Sequence, residues 1–189
     1  MNNLFSIYRG VVDMILLRTS WCDHIGNSGI AFLFALFINI LAIPLGAWFA
    51  QTDGQGPDLS LRSHVFIEGI MLAVMVITIF LLAFCRFRMQ KFSVVYAGIT
   101  YSGVLIALIL MVVEWLMALY GHSLYSQQAP MLAHALLVGA LIWMVILTSF
   151  VFKTGLEIGF AASVMMTTIL LFVAFVGRYV LEVFWLNYL

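Results

Sequence analysis

The chain reads as an all-α polytopic membrane protein, a five-transmembrane-helix bundle with an N-terminal amphipathic interfacial helix. Three observations predict this. Five apolar runs, at 29–50, 65–84, 94–119, 131–151 and 159–181, are separated by short polar segments. Each is about 20 residues or longer, the length a helix needs to cross a hydrocarbon core about 30 Å thick. The composition is 65% hydrophobic and 8% charged, with a mean hydropathy of +1.16. A soluble chain of 189 residues has too much surface for its volume to hide that many apolar side chains. Finally, the basic residues fall on one side of the runs, as they do in membrane proteins oriented by the positive-inside rule.

The elements follow in chain order. Residues 4–18 do not span. Leu4, Tyr8, Val11, Val12 and Ile15 recur at helical spacing, with Ser6, Arg9 and Asp13 opposite, which fits a helix lying on the inner leaflet. The segment from Trp21 through Cys22, Asp23 and His24 to Gly29 turns the chain into the bilayer. Pro44 lies inside span one, where it kinks the helix or frees a carbonyl. Gly54, Gly56 and Pro57 mark a turn before span two. Arg86, Arg88 and Lys91 form a basic loop between spans two and three. Pro130 opens span four, where its missing N–H costs nothing. Lys153 and Thr154 sit in a very short connection, so spans four and five form a tight antiparallel hairpin.

Arg9, Arg18, Arg86, Arg88, Lys91 and Lys153 thus share one side, six of the eight Lys and Arg residues. That side is assigned to the cytoplasm, which puts the C-terminus of a five-span chain outside. Trp48, Trp115, Tyr120, Trp185 and Tyr188 gather near the outer boundaries, where amphipathic rings favour the headgroup level.

The bulk numbers also exclude functions. Formal net charge is zero, so no global field points to nucleic acid. The whole chain, 1–189, is one membrane domain with no room for a soluble one. Arg9, Asp13 and Arg18 interrupt residues 1–21, so this segment does not read as a cleavable signal. Cys22 and Cys85 fall on the reducing side and are not expected to pair. Cys22 and His24, without a second ligand pair, do not make a zinc site. The sequence has no nucleophile–base arrangement, metalloprotease helix or phosphate-binding loop, and implies no cofactor.

Chemistry, if present, resides in the spans. Glu68, Glu114, His134, Arg178 and Glu182 all fall in the outer third of the bilayer by this topology, so antiparallel helices can assemble them into one polar layer. Arg178 and Glu182 are four apart and share a helix face. The layer reads either as a structural neutralisation of Arg178 by carboxylates or as an outward-facing pocket for an ion, a proton or a substrate. Asn39, Thr78, Ser102, Thr148, Ser149 and Thr167 offer mild helix–helix contacts near the midplane. Gly155, Gly159 and Ser163 repeat every four residues, as do Gly98 and Ser102, which predicts faces where helix backbones approach closely.

The last hairpin carries a resemblance. Ala140-Leu141-Ile142-Trp143, then Lys153 through Ser163 with Gly155 and Gly159, resembles the bacterial branch of the Yip family, membrane proteins named for interaction with Ypt/Rab GTPases. The resemblance implies five spans with a cytoplasmic N-terminus and no defined activity. The long cytoplasmic region and acidic-aromatic motif of eukaryotic members are absent here, so no GTPase partner is implied. The expected role is a non-enzymatic accessory or assembly subunit that contacts the lipid bilayer and other integral membrane proteins. The alternative is a small transporter or channel built on the outer acidic layer.

Overall fold

A computed structural model describes the backbone of residues 2–25, 29–52, 61–120 and 128–188, and the side chains of 5–25, 29–44, 62–112 and 135–185. Among the described residues every regular element is helical. They are α1 (Asn2–Ile15), α2 (Trp21–Ile25), α3 (Gly29–Thr52), α4 (Leu61–Cys85), α5 (Phe92–Tyr120), α6 (Gln128–Gly155) and α7 (Phe160–Tyr188), with a short 3₁₀ turn at Met89–Lys91. Four stretches are long and apolar enough to cross a membrane: Arg62–Cys85, Met89–Val112, Ala135–Gly155 and Phe160–Trp185. Gly29–Pro44 is a shorter apolar stretch, and α3 continues as helix past Pro44. In such stretches a helix is the natural conformation, because it satisfies every internal backbone polar group without water.

The long helices close a ring whose spatial order is not the chain order. α3 packs on α4 and α5, α5 on α6, α6 on α7, and α7 back on α4. α1 and α2 pack on each other and seal one end of the ring against α5 and α6. The core is densest at that end, where Met14, Trp21, Val95, Val151, Phe152 and Leu156 are fully buried. Much of the rest of the apolar surface faces outward, as the lipid-facing sides of spans do.

Polar side chains tie neighbouring helices. Asn39 Nδ2 of α3 donates to Tyr96 Oη and Thr100 Oγ1 of α5, both at 2.9 Å. Ser149 of α6 donates to Thr167 of α7 at 3.0 Å. Thr78 and Ser102 instead bond carbonyls of their own helices, Val74 and Ile99.

Three helices end in the same way at the α1 end. Leu17, Phe87 and Glu157 have φ of 54°, 55° and 55°, in the left-handed region. The next residue then donates its N–H to a carbonyl five back: Arg18 to Asp13, Arg88 to Ala83, and Ile158 to Lys153. This is the helix-ending turn that glycine normally supplies; here three non-glycine residues adopt it.

That turn corrects one expectation. Gly155, Gly159 and Ser163 do not form a stripe on one helix. Gly155 ends α6, Glu157 breaks the chain direction, and Ser163 belongs to α7. An added Cβ at Gly159 would meet nothing within 4 Å, so Gly159 is not a packing position within the chain.

Candidate functional site

Three residues of the expected polar layer, Glu68, Arg178 and Glu182, meet where α4 and α7 face each other, at the end away from α1. Arg178 Nε donates to Glu182 Oε1 at 2.8 Å along α7, and Arg178 Nη2 stands 3.4 Å from Glu68 Oε1 of α4. The i, i+4 spacing puts the first pair on one face, and the α4–α7 packing brings the second carboxylate across. Beside them Ile67 and Met71 pack with Ala174, Leu181 and Trp185, and Phe66 contacts the Trp185 ring at 5.1 Å between centroids. The Arg178 side chain is 52% exposed, so the pair opens to the surroundings instead of lining a closed cavity. Two carboxylates against one guanidinium leave the described group with a formal charge of −1. The side chains of Glu114 and His134 lie outside the described residues, as do those of Trp48, Trp115, Tyr120 and Tyr188.

A second polar cluster lies at the α1 end, and sequence reasoning missed it. Asp13, 7% exposed, accepts from Ser20 Oγ at 2.9 Å; His24 Nε2 stands 3.3 Å from the same carboxylate oxygen, Oδ2, and Arg18 Nη1 3.7 Å from the other, Oδ1. Ser6 donates to the His24 carbonyl. Ser6 and Asp13 were expected on the exposed polar face of the first helix. They face the protein because the α1–α2 turn delivers Ser20 and His24 to them, and a buried carboxylate is tolerable only when such partners meet it. The outward face carries Phe5, Tyr8 and Leu16, with Arg9 among them.

Trp21 anchors this end. Its ring is fully buried, and its Nε1–H donates to Thr154 Oγ1 at 2.8 Å. Gly98 of α5 and Gly155 of α6 make room for the ring: a Cβ on Gly98 would stand 2.8 Å from Trp21 Cη2, and one on Gly155 would stand 2.7 Å from Val95 Cγ2. These glycines are packing positions, Gly98 chiefly against the indole and Gly155 chiefly against the Val95 side chain, rather than against a neighbouring helix backbone. Ser102 and Ser163 are buried nearby on α5 and α7, each bonded to a carbonyl of its own helix.

Glu157 completes the end. It takes Arg88 at 3.1 Å and Lys91 at 3.5 Å, joining the α6–α7 turn to the α4–α5 loop. The segment with Cys22 and His24 is a five-residue helix in which the Cys22 thiol, pushed up to about 11 by burial, stays protonated; Thr154 and Lys91 pull it down by less. Cys22 and Cys85 are both free thiols. No group of three or more His, Cys, Asp or Glu that could hold a metal ion occurs among the described residues. The missed contacts join residues far apart in the chain, so no local sequence signal marked them.

Compared with family models, with curated proteins and with solved structures, the chain matches none of them.

Proposed function

We propose that the chain is a five-span protein of the bacterial inner membrane, N-terminus inside and C-terminus outside, Yip-like in architecture and without enzymatic activity. Its role is to bind other integral membrane proteins as an accessory or assembly subunit. α3 supplies the fifth span, and α1 lies along the inner boundary.

One observation carries the reading. Between α5 and α6 an apolar groove of about 260 Å³ opens on the outside of the ring, lined by Ile106, Leu110, Leu136, Gly139 and Trp143. An added Cβ at Gly139, or at Gly103 on α5, would meet nothing within 4 Å, so these small residues serve no packing inside the chain. In the bilayer, where apolar burial gives little drive, small-residue surfaces of this kind let a second helix come close. The occupant is a transmembrane helix of another protein.

The test is recovery of the tagged chain from native membranes in mild detergent. A partner present in stoichiometric amount is expected, and Gly139→Leu is expected to lose it while the isolated chain melts as before. The rival reading, transport through the Glu68–Arg178–Glu182 layer, expects something different. Ion flux in proteoliposomes that Glu68→Gln or Glu114→Gln abolishes would replace the binding role.

A further inference from the structure

The end of the ring sealed by α1 displays apolar and basic side chains together. Phe5 is 70% exposed and Tyr8 67% on the outward face of α1, with Arg9 beside them and exposed Leu16 just past the helix end. In the α4–α5 turn at the same end, Phe87 is 91% exposed and adjoins exposed Arg86. Phe87 also holds a φ of 55°, a conformation that costs an L side chain energy and costs glycine none. So exposed a ring gains almost nothing from its own chain in return.

The charges point the same way. Asp13 is turned inward and Glu157 is taken by Arg88 and Lys91. Arg9 and Arg86 form no ion pair among the described residues, and Asp23 is the one exposed carboxylate left there outside an ion pair. An apolar rim with unpaired guanidinium groups, at the end of apolar spans, is complementary to anionic headgroups above an acyl boundary.

We propose that this rim docks on the anionic phospholipids of the adjoining leaflet, with Phe5, Tyr8, Leu16 and Phe87 entering the acyl boundary and Arg9 and Arg86 taking lipid phosphates. This rests on the membrane-spanning reading above. It assigns α1 and the α4–α5 turn a ligand of stated chemistry, whichever proteins bind the outer groove.

The full-length chain, reconstituted with equal phosphatidylcholine and phosphatidylglycerol, is released into micelles, and retained lipids are counted by native mass spectrometry. The wild type should retain phosphatidylglycerol preferentially. Arg9→Gln with Arg86→Gln should lower that preference by about fivefold per side chain removed, the weight of one basic residue at an anionic surface. Phe87→Gly serves as the second variant, because its two effects oppose. It should melt higher in lipid-free micelles, with strain relieved, yet retain less lipid. Equal retention of both lipids by the wild type, or a preference untouched by either variant, overturns the proposal. So does an unchanged preference joined to loss of a co-purifying soluble protein, which assigns the rim to that protein. A chain extracted from membranes by alkaline carbonate fails the spanning reading instead, whereas one that resists extraction but shows no lipid preference fails this inference alone.

Discussion

Gly98 and Trp21 show how closely two positions can depend on each other. The indole and Val151 fill the space a side chain at 98 would take, so Gly98→Ala forces both to move. The expected cost is about 1–3 kcal/mol, the range for overfilling a packed core. Gly159→Ala, where an added Cβ meets nothing, should be near neutral, and thermal melts of the two variants in one detergent check the contrast. Trp21→Ala removes a fully buried ring and leaves Thr154 without its donor, at about 3–5 kcal/mol. Cys22 gives a pH test. Its thiol is raised from 9.0 to about 11, so the folded state holds a proton that the unfolded chain releases earlier. The stability tied to that proton is complete below pH 9 and fades as pH rises toward 11. Only the thiolate reacts with an alkylating agent, so the rate at Cys22, followed by peptide mass, should still be climbing at pH 10. A plateau by pH 9 would contradict the burial assigned to it.

Helix pairs divide the work between apolar packing and polar ties. α4 and α7 meet through the small cluster of Ile67, Met71 and Trp185, capped by Arg178 and its two carboxylates. Arg178→Met leaves Glu68 and Glu182 beside each other without a cation. Because the group is half exposed, the expected loss is about 1–2 kcal/mol, well short of a fully buried pair. The deficit should narrow when the melt is repeated at high salt, which screens partly exposed charges. A deficit equal at both salt concentrations would mean that Arg178 contributes by its stem packing alone. α1 shows the other arrangement. Ser6 and Asp13 bond inward to α2 while Phe5, Tyr8 and Arg9 face out, so its sequence pattern is divided between protein and surroundings at an angle that the pattern alone does not mark.

The ring as a whole distributes charge unevenly. Six of the eight basic residues lie at or next to the α1 end, and the Glu68–Arg178–Glu182 group lies at the other. If the chain spans a membrane as proposed, a reporter fused at Gln90 should read cytoplasmic and one at Gln127 external. The reverse result would invert the bundle and move the basic rim to the outer leaflet. The order of packing, α3 to α4 to α7 to α6 to α5 and back, places the first and last long helices of the chain on either side of α4. The groove beside Gly139 lies between α5 and α6 and opens to the surface.

Composition and run length were enough to establish an all-helical chain with helices of membrane-spanning length, because burying a peptide in hydrocarbon leaves few other conformations. The i, i+4 relation of Arg178 and Glu182 was legible for the same local reason. Glu68 across from Arg178, Trp21 between Gly98 and Gly155, Glu157 against Arg88 and Lys91, and Asp13 facing inward were not. Each depends on which helices become neighbours and at what rotation. Helices that are apolar all round carry almost no periodic signal of their buried side. Shape and a few polar bonds between helices settle those choices, and they exist once the ring has closed.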